Sequence, residues 1–256
     1  MDGNHFRGEI LESLSKCSSL EGLYLSDNNL SGKIPRWLGN LSMLQHIILS
    51  ENHLEGPIPV EFCQLDSLKI LDISDNNISG SLPSCFNPLS IERVHLSKNM
   101  LNGQLKEGTM FNCSSLVTLD LNYNHLDGII PYWINGLSQI SQLILAHNNF
   151  EGEVPIQLCQ LNKLQLIDLS NNILSCHIPP CLDNTKLHES YIDTSSPESS
   201  ETSFVDEGFA FYKEKKIQET FKFTTKNIAY IYRGIVVSYL SGLDLSYNKL
   251  IGQIPP

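Results

Sequence analysis

The chain has 256 residues, 41% hydrophobic and 18% charged, which suffices for a substantial core and excludes a disordered tail. Its formal net charge of −11 argues against a nucleic-acid partner, which would need Lys and Arg to displace phosphate counterions. No run approaches the roughly 20 apolar residues of a membrane helix; the nearest, IAYIYRGIVVSYL at 228–240, is short and carries Arg233.

The opening stretch, MDGNHFRGEI, has no apolar signal-peptide segment, so the chain is cytosolic or its targeting segments lie outside this sequence. From that point a period governs the chain. Asn4, Asn28, Asn52, Asn76, Asn99, Asn124, Asn148 and Asn172 follow one another at gaps of 24, 24, 24, 23, 25, 24 and 24, and Asn248 comes 76 later. Around each runs the frame apolar-x-x-apolar-x-apolar-x-x-Asn-x-apolar-x-Gly, as in Leu20, Leu23, Leu25, Asn28, Leu30 and Gly32. The alternating apolar pair predicts a short strand with one buried face. The Asn then points inward, where its amide can satisfy backbone groups of neighbouring coils that would otherwise be buried unpaired.

These residues resemble a leucine-rich repeat. The continuations LSGKIP at 30–35, LEGPIP at 54–59, LDGIIP at 126–131, FEGEVP at 150–155 and LIGQIP at 250–255 are similar to the plant-specific repeat of extracellular receptors. The copy LNGQLKEG at 101–108 lacks the proline, which leaves its second strand open. The expected fold is therefore an α/β-type leucine-rich-repeat solenoid of 24-residue coils with a curved parallel β-sheet on its concave face. Repeats occupy 1–182, an insertion 183–239, and a resumed repeat 240–256.

Cysteines repeat with the coils. Cys17 and Cys113, Cys63 and Cys159, and Cys85 and Cys181 are each 96 residues apart, four coils, and the blocks 17–85 and 113–181 align without a gap. Cys63 to Cys85 and Cys159 to Cys181 span 22 residues, nearly one coil. Coils stack about 4.8 Å apart, within reach of a disulfide, so these pairs are expected to be bonded and the compartment oxidising. Sequons at Asn29, Asn40, Asn77 and Asn112 agree with export. Cys17 and Cys113 are expected as buried small groups on the convex side. Cys176 replaces a Gly. A zinc site from Cys159, Cys176, Cys181 and His188 fits by ligand type, but the Cys63–Cys85 copy lacks the other two ligands.

The insertion adds 52 residues to the expected period. Its first half carries seven acids and one Lys, with a Ser/Thr/Glu/Pro stretch at 193–203 expected to be mobile. The second half has six basic residues against two acids, and its Phe, Thr, Ile and Tyr content favours strands. It resembles the island of plant receptors, and Tyr232-Arg233-Gly234 resembles the re-entry into their final repeats. By that resemblance Lys226, Tyr230, Tyr232 and Arg233 are candidate co-receptor contacts. Met1 falls inside a repeat and Pro256 just after GQIP. The resemblance implies a signal peptide and cap upstream, and further repeats, a cap, a membrane helix and a short tail downstream.

Catalytic motifs are missing: there is no GxGxxG, P-loop, GxSxG or HExxH. Asp72, Asp120, Asp168 and Asp244 form a row that suggests acid–base work, but a coil contact repeated at the exposed position between the strand leucines accounts for it. No enzyme, metal or cofactor is implied. Function is expected on the outward strand positions Tyr24, His46, Ile48, Glu51, Arg93, His95, Lys98, Tyr123, Gln142, Ile144 and His147, with the basic trio Arg93, His95 and Lys98 beside Tyr123 resembling a binding hot spot. The resemblance implies the ectodomain of a plant cell-surface receptor-like protein that binds a peptide, protein or glycan and signals through adaptor and co-receptor kinases, with membrane contact only through a segment absent from this chain. The alternative is a secreted inhibitor of cell-wall hydrolases; that family has an uninterrupted array.

Overall fold

The computed structural model describes residues 1–110, 113–184, 220–225, 228–233 and 242–254. It forms two compact units, one of residues 1–188 with 242–256 and the other of residues 189–241. In the first, each coil after the first contributes one strand to each of two parallel sheets, and the first contributes to one. The eight-stranded sheet runs Gly22–Tyr24, His46–Ile48, Ile70–Asp72, Arg93–His95, Thr118–Asp120, Gln142–Ile144, Leu166–Asp168, Gly242–Asp244. The nine-stranded sheet begins at Arg7–Gly8, continues through the strands that follow each Asn, among them Met100–Gln104, His125–Ile129, Asn149–Glu153 and Ile173–Cys176, and ends at Lys249–Leu250.

Between the sheets lies one continuous apolar core. Leu23, Leu25, Leu30, Leu38 and their counterparts in the following coils as far as Leu182 fill it, with Phe62, Phe86 and Phe150 fully buried. At roughly 1.5–3 kcal/mol per buried large side chain, this stacking is the main stabilising term. Polar groups reach the core through the asparagine ladder. Asn124 donates from Nδ2 to the carbonyl oxygens of Leu96 at 3.0 Å, Leu121 at 3.1 Å and Asn122 at 3.2 Å, and its Oδ1 accepts the Leu101 N–H at 2.9 Å. Asn52, Asn76, Asn99, Asn148 and Asn172 repeat the pattern. Each Asn thus ties its own coil to the preceding one, which is why it recurs at one frame position.

The insertion leaves this register intact. Leu166 pairs with Gly242, Ile167 with Leu243 and Asp168 with Asp244, and Asn248 donates to the carbonyl of Leu169 at 2.9 Å across 79 residues of sequence. In the second unit, Thr220–Thr225 and Ile228–Arg233 form an antiparallel pair, in keeping with the strand-favouring composition. Lys226 and the stretch 193–203 lie outside the described residues, as does Asn112.

On the turn side, short 3-10 helices start after the proline at Arg36–Asn40, Val60–Gln64, Tyr132–Gly136 and Ile156–Gln160. Coil five, without its proline, still forms its second strand, Met100–Gln104; what the described residues lack there is the helix. Cys63 bonds Cys85 with Cα atoms 5.5 Å apart, and Cys159 bonds Cys181 at 5.7 Å. With two of its three sulfurs in a disulfide, the zinc set of Cys159, Cys176, Cys181 and His188 loses half of its ligands, and His188 lies outside the described residues. Cys113 is buried, but Cys17 is exposed, contrary to expectation.

Candidate functional site

Three rows of side chains face outward from the eight-stranded sheet. Strand register aligns His46, Ile70, Arg93, Thr118, Gln142 and Leu166 in the first row. The second aligns Tyr24, Ile48, Asp72, His95, Asp120, Ile144, Asp168 and Asp244. The third stands where the chain leaves the strand: Asp27, Glu51, Asp75, Lys98, Tyr123, His147, Asn171 and Tyr247, all at φ between 51° and 55°. A left-handed conformation at a non-glycine residue costs about 1–3 kcal/mol. It holds because the following Asn and the coil-to-coil backbone bonds on either side over-determine it, as where Tyr123 N–H donates to Ala146 O at 3.1 Å and Asn124 N–H to His147 O at 3.2 Å. The corner is common to coils two to nine; the side chain it projects is not.

At coils two and three the Tyr24 hydroxyl hydrogen-bonds His46 Nδ1 at 2.7 Å, their ring centroids 6.0 Å apart. Gly22 makes this possible, because a Cβ there would meet Tyr24 Cε2 at 2.5 Å. The tyrosine ring therefore lies across its own strand. Glu51 is exposed beside this pair.

At coils five to seven, Lys98 Nζ lies 2.8 Å from Asp75 Oδ2, and His95 Nδ1 lies 4.0 Å from Asp120 Oδ2. The basic trio therefore does not stand as a bare cationic patch: two of its members face carboxylates of adjacent coils. Tyr123 and His147 stack with centroids 4.0 Å apart and planes 11° from parallel. Burial holds the His147 pKa below its ordinary value, and the Asp244 charge opposes that shift. Asn171 Nδ2 sits 3.3 Å from His147 Nε2.

Other outward positions are closed to solvent. Gln142 is 4% exposed and Ile144 0%, with Thr118, Asp120, Leu166 and Asp168 beside them also buried, and Ile48 is 7% exposed. Thr118 Oγ1 donates to Gln142 Oε1 at 3.2 Å. Rows one strand spacing apart shield one another, an effect that a period read within single coils leaves out. The expectation that Ile48, Gln142 and Ile144 are open contact residues is corrected on this point, as is the exposed placing of Asp120 and Asp168. The aspartates serve the turn: Asp72, Asp120, Asp168 and Asp244 each accept, through Oδ1, the backbone N–H of the residue two ahead at 2.9–3.1 Å. Burial pushes the Asp168 pKa up to about 6, opposed by its bonds to Ser170.

The predicted residues thus fall into two accessible clusters, Tyr24, His46 and Glu51, and Arg93, His95, Lys98, Tyr123 and His147. Sequence reasoning missed Asp27, Asp75, Asn171 and Tyr247, although each directly precedes a ladder Asn just as Glu51 and Tyr123 do. Tyr230, Tyr232 and Arg233 lie on the strand Ile228–Arg233 of the other unit. Among the described residues no group of three or more His, Cys, Asp or Glu side chains is placed to hold a metal ion. No described helix is long and apolar enough to cross a membrane.

Comparison with known proteins follows this geometry. The chain is 39% identical over 192 residues to Cuscuta receptor 1 of Solanum lycopersicum, covering 67% of this chain and 17% of that protein. Among solved structures it is similar to the plant peptide hormone receptor RGFR1 in complex with RGF2, with a TM-score of 0.69 and 32% identity over 71% of this chain and 29% of that one. The Arabidopsis receptor kinase HAESA, in complex with the peptide hormone IDA and the co-receptor SERK1, is similar at a TM-score of 0.60 and 32% identity, covering 72% of this chain and 35% of that one. The chain spans less than a fifth of the length of the plant receptor-like proteins it matches. The leucine rich repeat family model matches residues 9–54, 91–150 and 114–174, and a second leucine-rich-repeat model matches 67–89; the chain belongs to the leucine-rich-repeat family.

Proposed function

We propose that this chain is a ligand-recognition segment of a plant cell-surface receptor-like protein, working on the extracellular side of the plasma membrane, and that its partners for signalling are receptor kinases. An extracellular peptide, protein or glycan lies along the eight-stranded sheet, against the Tyr24–His46 pair and the cluster of Arg93, His95, Lys98, Tyr123 and His147. One observation carries this reading. The corner residue has the same backbone in every coil while its side chain runs from acid through Lys98 to Tyr123, His147 and Tyr247. A frame held constant under a varied surface is how a solenoid presents a binding face. The solved neighbours that hold peptide hormones and a co-receptor support it by similarity.

Capture by the secreted, glycosylated chain from plant receptor-kinase ectodomains and cell-wall hydrolases tests the reading. It expects retention of a receptor kinase that is lost when 183–239 are deleted. Retention and inhibition of a hydrolase, indifferent to that deletion, would overturn it.

A further inference from the structure

A second surface lies on the nine-stranded sheet and the turn beside it. Among the described residues coil five forms no 3-10 helix after its second strand. A groove of about 350 Å3 opens at that place, lined by Gln104, Glu107, Ile129, Tyr132 and Trp133. Tyr132 is 64% exposed and Ile129 47%.

Ile129 also begins a row that leaves the groove along the sheet. It stands opposite Glu151, and Glu151 opposite Ile173. All three face solvent, one strand spacing apart, about 4.8 Å. Gly152, at φ +77°, lets the first isoleucine lie along the sheet, since a Cβ there would meet Ile129 Cγ2 at 3.0 Å. A carboxylate is therefore held between two exposed aliphatic side chains, and Asp127 and Glu153 stand two residues away on the same strands. Contiguous exposed apolar groups mark contact sites. A carboxylate set among them suits a cation on a long stem, which lays its methylenes on the isoleucines and its head on the acid. Arginine and aromatic anchors dominate such interfaces.

We propose that the groove and the Ile129–Glu151–Ile173 row dock an extended segment of a partner protein, with an apolar or aromatic side chain against Tyr132 and Trp133 and a Lys or Arg over Glu151. The site is separate from the eight-stranded sheet and does not rest on the function proposed for that face.

The probe is a phage-displayed library of random peptides, selected on the secreted chain. Peptides held by the wild type and weakened about tenfold or more by Ile129→Asp with Tyr132→Ala are expected to carry an aromatic or large aliphatic residue within about three positions of a Lys or Arg, the reach of a short extended stretch. Glu151→Lys is expected to turn that enrichment toward Asp and Glu, with the thermal midpoint unmoved. Peptides without a basic residue, or peptides released by Tyr123→Ala but not by Ile129→Asp, would overturn the proposal. A dimer in sedimentation equilibrium that Ile129→Asp dissolves would also overturn it, since the occupant would then be a second copy of the chain.

Discussion

Tyr123 and His147 stack face to face at 4.0 Å from adjacent coils, each projected by a left-handed backbone corner at φ 51° and 52°. The stack covers the imidazole, and that burial is the larger cause of its lowered pKa. A histidine whose folded pKa is lowered contributes stability above its unfolded value of about 6.5, and that contribution is lost as pH falls through the folded value. Tyr123→Ala uncovers the ring and is expected to raise the His147 pKa toward its ordinary value. Imidazole proton shifts followed across pH by NMR check this; an unchanged titration would separate the stack from the shift.

The ladder asparagines should be the most sensitive polar positions. Asn124→Ala removes four hydrogen bonds, two within its own coil and two to the preceding one, leaving buried backbone groups unpaired at roughly 1–3 kcal/mol each before relaxation. A loss of about 2–4 kcal/mol in chemical denaturation is expected. Asn149→Ala, at the exposed position on the neighbouring strand, should change stability by less than about 0.5 kcal/mol.

The disulfides close loops of 22 residues on the turn side. Chain-entropy reasoning assigns each roughly 3 kcal/mol. Cys159→Ala with Cys181→Ala is expected to lower the unfolding midpoint, and coil eight to gain amide hydrogen exchange before coil two does. Uniform exchange along the array would show that the bond restrains no particular coil.

Free cysteines should divide by burial. Cys17 is exposed, whereas Cys113 is buried and its thiol pushed up to about 12. Iodoacetamide at about pH 8, where an unperturbed thiol is partly ionised, should label Cys17 in the folded chain and Cys113 only after unfolding, as read by peptide mass spectrometry.

Asp168 gives the opposite pH sign to His147. Its folded pKa is raised from 3.8 to about 6, so the folded state keeps a proton that the unfolded state gives up. The stability tied to that proton is present below about pH 4 and lost as pH rises to about 6. Asp168→Asn keeps an acceptor for the Ser170 N–H and removes the buried charge. Its midpoint is expected above the wild type at pH 7 and level with it near pH 4; a lower midpoint at pH 7 would show that the carboxylate is compensated by a partner.

What repeats within a coil was legible in the sequence: the strand pair, the ladder Asn, the cysteine register and the resumption of the frame around Asn248. These depend on one residue meeting its equivalent in the next coil, and a period reports that directly. What depends on unlike residues in adjacent coils was not legible. The burial of Gln142 and Ile144, the Tyr24–His46 bond over Gly22, and the carboxylates facing Lys98 and His95 arise from lateral neighbours about 22 to 25 positions away whose types vary. The groove between coils five and six, lined by unlike residues of the two, was not legible either.

The central claim is that the varied lane on the eight-stranded sheet recognises a ligand. The most direct measurement is binding of the secreted chain to an array of plant extracellular peptides and cell-wall oligosaccharides, beside a variant carrying Tyr24→Ala, Arg93→Ala, Lys98→Ala and Tyr123→Ala. The account predicts probes bound by the wild type and weakened about 30-fold or more in the variant, the scale of one lost hot spot, with the thermal midpoint nearly unchanged. An array with no binders, or binders that the variant retains at equal affinity, would contradict it.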